Sequence, residues 1–328
     1  MRFGLFGGAQ TGSDPTAPGR GFHDYVDFNV EAEALGYHGT FCVEHHFTGW
    51  GQISATLELL TWVAARTRSL RVGTAVMVLP WHNPVLLAEQ AATLDLLSGG
   101  RLDLGIGKGY RYNEFHGFSV PMEEAEARFD EALEVMMKAW SSSRRFSFRG
   151  RYWDFKDIVV EPKPARAPAL WMAAGSAASI RRVVARGASL LLDQFASVEA
   201  IGERVALYKA EVEAAGRAFD PMSVAVARDA YVASDESDRR AALARAGAVR
   251  RRTIEVSRAP DRDGGSHILA YSHSDAGNEA ALCGTPDEIV RKLEALRKVG
   301  VTYVLANFGG NSRESLRRFA REIVPAFG

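Results

Sequence analysis

Cysteine is nearly absent: Cys42 and Cys283 are the only two in 328 residues. Two lone thiols build neither a disulfide framework nor a CxxC metal pair, and such sparing use fits a reducing compartment. Net charge is missing as well, since 40 Lys+Arg face 40 Asp+Glu. Nucleic acid and anionic membrane surfaces, which bind through a basic field, are therefore not expected as partners. The basic clusters VRRRT (249–253) and SDRRAA (237–242) lie in Ala-rich, helical-looking sequence and read as solvated helix faces. No apolar run approaches the ~20 residues of a membrane span. The opening MRFGLFGGAQ is too short and glycine-rich for a secretion signal. The expected protein is soluble and cytoplasmic.

What is present is alternation. Short apolar or β-branched runs begin at Arg2 (RFGLFG), Gly39 (GTFCV), Leu70 (LRVGTAVMVL), Arg101 (RLDLGIG), Ala169 (ALWMAA), Ala188 (ASLLLD), Met222 (MSVAVARDAYVA) and Val301 (VTYVLANF). Amphipathic segments lie between them, at 25–35, 56–67, 84–97, 125–140, 179–186, 198–215 and 286–299. Strand-helix alternation along a whole chain implies a parallel sheet. Eight such units predict an α/β fold, a (β/α)8 TIM barrel forming one domain over 1–328. Two stretches exceed a minimal barrel: a hairpin-like insertion at about 146–168, and a polar, glycine-containing one at about 258–281.

Barrel active sites lie at the C-terminal ends of the strands. That rule selects Glu44-His45-His46 after the second run, Pro80–Asn83 after the third, GIGKGYRYNEF (105–115) after the fourth and GSAAS (175–179) after the fifth. Glu44, His45 and His46 suit a metal site, a proton-transfer site or one buried histidine held by its acid. Adjacent residues project apart, so the two imidazoles are badly placed to share a metal, and no HxH or HExxH supplies further ligands. Proton transfer needs only one imidazole, which titrates near neutrality. Ser176 and Ser179 stand three apart at a helix start. There they cap backbone N–H groups or, with those groups, cradle a phosphate; GGNS (309–312) is a rival cradle. The alternate Gly105, Gly107 and Gly109 do not have Rossmann spacing and suggest close approach of a flat ligand, with Lys108 available for a phosphate.

In order and spacing, EHHFTGWG, VGTAVMVLPWHNPVLLAEQAATLDLLSGGRLDLGIGKG and GTPDEIVRKLEALRKVGV are similar to the bacterial luciferase-like family of flavin-dependent monooxygenases. The resemblance implies a barrel holding reduced FMN supplied by a separate flavin reductase. It implies O2 addition at the flavin 4a carbon, and oxidation of a small organic substrate by the resulting hydroperoxide. It places the catalytic histidine on His45, with Glu44 beside it, and the flavin-phosphate contacts on Lys108, Arg128, Ser176 and Ser179. Ala75 and Val76 match a bend against the flavin ring, often a non-proline cis peptide, and Gln194 replaces an indole next to that ring. Phe6, His46, Trp81, His82, Tyr110 and Arg111 are the expected substrate-pocket residues. Gly107, Lys108, Gly175 and Gln194 depart from luciferase itself, which argues against light emission and a long-chain aldehyde. The resemblance also implies a homodimer through 84–97. The alternatives are a deazaflavin-dependent hydride-transfer enzyme and a flavin-binding protein without catalysis. The 258–281 segment, with Gly264-Gly265, His267, Tyr271 and His273, is expected to form a lid.

Overall fold

A computed structural model describes residues 1–11, 16–258 and 276–328. Twelve strands are present among them: β1 (Arg2–Gly7), β2 (Gly39–Cys42), β3 (Arg71–Thr74), β4 (Met77–Val78), β5 (Leu102–Gly107), β6 (Phe146–Arg149), β7 (Asp154–Ile158), β8 (Ala169–Ala173), β9 (Ser189–Leu192), β10 (Val224–Val232), β11 (Leu282–Gly284) and β12 (Tyr303–Asn307). The helices are α1 (Arg20–Ala34), α2 (Thr56–Arg66), α3 (Pro84–Ser98), α4 (Tyr112–Gly117), α5 (Ala125–Ser141), α6 (Ala177–Ala185), α7 (Val198–Ala214), α8 (Glu236–Ser257), α9 (Ala276–Ala280), α10 (Pro286–Lys298) and α11 (Arg313–Glu322). Among the described residues, no helix is long and apolar enough to cross a membrane.

Eight parallel staves close a TIM barrel in the order β1, β2, β3, β5, β8, β9, β10, β12, with β12 returning to β1. Each expected run contributes one stave. Side-chain alternation explains why: Phe3 and Leu5 of β1, Val224 and Val226 of β10 and Val304 and Ala306 of β12 pack outward in the main core with the helices. Their neighbours Phe6, Ala225, Tyr303 and Leu305 turn inward onto Phe41, Trp171 and Leu191. Phe41, Trp171 and Tyr303 meet edge-to-face, centroids 5.5 to 6.2 Å apart, and fill the barrel interior.

The third stave is broken. The run LRVGTAVMVL leaves the sheet after Thr74, passes through a cis Ala75–Val76 peptide and rejoins β5 as β4. The neighbouring glycines make this possible. A Cβ at Gly105 would lie 1.8 Å from the Thr74 carbonyl oxygen, and one at Gly107 would lie 2.5 Å from Val76 Cγ2. At Gly109 it would meet Val78 Cγ1 at 2.7 Å. The space at these alternate glycines is therefore filled by the bent strand and not by a ligand, which corrects the earlier reading of GIGKG.

β10 outruns the barrel. Its first half pairs β9 and β12, and its last residues pair β11, a strand too short and glycine-rich to stand out in the sequence. The first insertion is an antiparallel hairpin, β6–β7. Of the second, Arg258 follows α8 and α9 resumes at Ala276. The lid residues Gly264, Gly265, His267, Tyr271 and His273 lie outside the described residues.

Candidate active site

Glu44 and His45 leave the end of β2 in different directions. Glu44 is buried, with 1% of its surface exposed. Its Oε1 accepts from His46 Nε2 and His82 Nε2, each at 2.7 Å, and from Trp81 Nε1 at 3.0 Å. Its Oε2 accepts the Val78 N–H at 2.8 Å. Burial alone would raise this carboxyl; the hydrogen bonds of His46 and His82 outweigh it and hold Glu44 down at about 2. A carboxylate only accepts, so both histidines carry their proton on Nε2. His46, Trp81 and His82 thus turn their polar edges toward Glu44. The rings of Trp81 and His46 add to an aromatic wall, where Trp81 stacks on Phe118 at 5.1 Å and His46 meets Phe118 edge-on at 4.7 Å.

His45 has another acid. Its Nδ1 lies 2.9 Å from Glu114 Oε1, and the same oxygen accepts the His46 N–H at 3.0 Å. Glu114 Oε1 is therefore the acceptor and His45 Nδ1–H the donor, which leaves Nε2 with its lone pair. Glu44 was expected beside His45 in the catalytic pair; its hydrogen bonds go instead to His46, Trp81, His82 and Val78, because adjacent residues diverge. Glu114, in α4, was missed: it stands among the polar residues of GYRYNEF, and nothing local marks it. Burial pushes the His45 imidazole below its ordinary value, the Arg111 cation pushes the same way, and Glu114 opposes both. Arg111 is 4% exposed. Its Nη1 stands 3.9 Å from Glu114 Oε1, with no hydrogen-bond partner among the described residues. Its Nε donates to the Tyr110 hydroxyl at 3.4 Å.

The other expected residues fall into two groups. Phe6, Ala75 and Val76 sit together against the inward aromatic cluster, and Gln194 Oε1 is buried without a hydrogen-bond partner among the described residues. Ser176 and Ser179 form a capping box at the start of α6, their hydroxyls 2.9 Å apart. Lys108 reaches that helix indirectly, because its Nζ lies 3.1 Å from Glu126 Oε2 while Glu126 Oε1 accepts from Arg182 of α6. Arg128 bonds Glu124 at 2.9 Å and stacks on the Tyr152 ring. In GGNS, Ser312 caps α11 and Asn311 donates to the Gly8 carbonyl.

One corner of the mouth was not foreseen. Asn307 Nδ2 donates to Asp229 Oδ1 at 2.9 Å, and Arg250 Nη1 of α8 stands 3.5 Å from Asp229 Oδ2. Arg252 lies over the Trp50 ring at 4.8 Å. The cluster VRRRT is therefore not simply a solvated face: α8 directs Arg250 inward, while Arg252 stays exposed.

A family profile described as "Luciferase-like monooxygenase" matches residues 1–303. The oxygenase component of the flavin-dependent trigonelline monooxygenase of Acinetobacter baylyi is 25% identical, over 100% of this chain and 96% of its own length. The FMNH(2)-dependent dimethylsulfone monooxygenase of Pseudomonas putida is 28% identical, over 80% of this chain and 75% of its own. An F420-dependent glucose-6-phosphate dehydrogenase of Kineococcus radiotolerans is 34% identical, over 51% of this chain and 50% of its own. Other curated relatives are matched over 40% to 65% of their own length. Among solved structures, the monooxygenase RslO1 of Streptomyces bottropensis superposes with TM-score 0.86 at 24% identity, covering 100% of both chains.

Proposed function

The chain belongs to the luciferase-like monooxygenase family, and from that premise we propose that it is the oxygenase of a two-component, reduced-FMN-dependent monooxygenase. It oxidises a small organic substrate with O2, takes its reduced flavin from a separate reductase, and works as a cytoplasmic homodimer. The observation that carries this reading is the His45–Glu114 pair. An imidazole fixed through Nδ1, with Nε2 left as acceptor, is equipped to take and return a proton at the barrel mouth.

The donor set suits FMN. Phe6, Ala75 and Val76 offer an apolar seat beside the cis peptide, and the unpartnered Gln194 Oε1 would accept an N–H of the flavin. The first turn of α6 leaves backbone N–H groups without intrahelical partners, and with Ser176, Ser179 and Lys108 it would hold the phosphate. Glu126 would then have to share Lys108 and Arg182. Arg128, committed to Glu124 and Tyr152, is the weakest of the proposed contacts. Reduced FMN supplies the electrons that activate dioxygen. Glu114 keeps the His45 ring oriented and its Nδ1 protonated, while burial and Arg111 keep the ring neutral. The aromatic wall of Trp81, Phe115 and Phe118 keeps water from that side of the mouth, and Glu44 holds the wall through Trp81.

The F420-dependent relative favours a second reading, hydride transfer with a deazaflavin. One experiment separates the two. The protein is mixed anaerobically with reduced FMN or reduced F420, and oxygen is then admitted with candidate substrates. Binding of reduced FMN followed by oxygen consumption and oxygenated product is expected. Selective binding of F420, with no oxygen consumed, would overturn the monooxygenase reading.

A further inference from the structure

We propose that Arg250 receives a carboxylate of the organic substrate, so that this enzyme acts on small organic acids. The inference rests on the mouth being the substrate site and adds the chemical class of what enters it.

Strand register places the receiving corner. Asp229 of β10 is paired with Asn307 of β12. They share the strand parity of Ala225, Tyr303 and Leu305, which fill the barrel interior, so both face inward above that plug. Arg250 comes down on them from α8, its side chain only 16% exposed. One edge of its guanidinium donates to the Asn278 side chain, and the Phe195 ring lies 5.9 Å from its centre. Nη1 is buried and has no hydrogen-bond partner among the described residues. Asp229 at 3.5 Å balances its charge without bonding it, and the Asn307 amide already occupies the other oxygen of that acid.

The balance of donors and acceptors then names the ligand. Two buried guanidinium groups reach the mouth, Arg111 beside α4 and Arg250 on α8, and those helices pack together. Each has an Nη1 with no hydrogen-bond partner among the described residues. The acids near them are engaged: Glu114 with His45 and His46, Glu44 with its four donors, and Asp229 with Asn307. No carboxylate among the described residues is hydrogen-bonded to either of these two guanidinium nitrogens. A cationic substrate would be repelled here and a neutral carbonyl would accept only a weaker hydrogen bond, whereas a carboxylate accepts a charge-assisted one from a planar guanidinium in matching geometry. Gly7 has no side chain, and a Cβ there would meet only Asn307 Oδ1, at 3.7 Å, so that side of Asn307 is not packed against β1.

Benzoate and its neutral isostere benzamide serve as probes, titrated calorimetrically into the full chain. Benzoate should bind about tenfold or more tightly than benzamide, the range of a charge-assisted hydrogen bond. Arg250→Gln should bring the two within about twofold, and Arg250→Lys should keep part of the preference. Asp229→Asn should tighten benzoate several-fold, because it removes a competing carboxylate; an Arg250 that merely anchors Asp229 would give no such gain. Equal affinity for the two probes, no benzoate binding, or a preference that survives Arg250→Gln would overturn the proposal. Reduced-FMN binding is measured separately on the same proteins. Its loss in the wild type would overturn the functional reading, while the benzoate preference alone decides the carboxylate site.

Discussion

At the residue scale, the two carboxylates near His45 do different work, and paired substitutions separate them. His45→Ala should lower turnover by about 10²–10⁴-fold and leave reduced-FMN affinity within a few-fold. Glu114→Gln should lower turnover as well, with a smaller loss of stability. Glu44→Gln should do the reverse, since a buried carboxylate with several donors contributes about 3 kcal/mol or more. Equal effects of the two glutamine variants on both readouts would contradict this division. The pH dependence has a definite sign. Glu44 is held at about 2 against an ordinary 4.5, so its stabilisation is complete above the unfolded value and is lost as pH falls toward the folded one. Between about pH 5 and pH 3 the urea midpoint should fall more steeply for wild type than for Glu44→Gln. His45 is shifted down from 6.5, so its Nε2 remains an acceptor through neutrality and activity should decline only below that value. Adjacent side chains diverge, which was legible in EHH; the partner of each was not. Glu114 lies 69 positions from His45, a distance that only the barrel closes.

At the scale of elements, all eight staves were legible because each combines an apolar run with a following helix. What escaped was determined by contact between elements. LRVGTAVMVL reads as one strand, yet it breaks where Thr74 drops its carbonyl onto Gly105 and its hydroxyl donates to the Gly105 carbonyl at 2.6 Å. The glycines of GIGKG looked like room for a ligand because a sequence does not show which backbone fills the room. Gly105→Ala tests this directly. Its methyl would strike backbone, so a loss of at least about 1–3 kcal/mol is expected, or failure to fold. Gly19→Ala, with nothing within 4 Å of its Cβ, should stay within about 0.5 kcal/mol of wild type. Similar melting temperatures for both variants would mean that the strand can shift away, and the close packing would then not be required. The inward turn of α8 was hidden for the same reason: Arg250 looks like any surface arginine until Asp229 and Asn307 are brought beneath it.

At the scale of the whole molecule, closure of the barrel leaves none of its staves with a free edge, so self-association through the barrel falls to the helices. α3 is the one suited to it. Its buried side carries Leu87, Ala88, Ala91, Ala92 and Leu94 against the core, yet Leu86, Leu96 and Leu97 are 53%, 45% and 68% exposed. Leu86, Gln90, Thr93 and Leu97 follow one another at helical spacing, so they form an outward stripe ending in leucine at both ends. The other exposed large apolar side chains, Phe47, Met137, Val159 and Val249, are scattered over separate elements. Pairing two copies through α3 would bury the leucine stripe against itself, as a two-fold interface requires. Light scattering should therefore give a dimer at micromolar concentration. Leu86→Glu with Leu97→Glu should give a folded monomer, because neither side chain supports the core and the opposed charges repel across the two-fold axis. The wild-type melting temperature should rise with protein concentration, and that of the double variant should not. A wild-type monomer, or a dimer indifferent to both glutamates, would place α3 outside any interface.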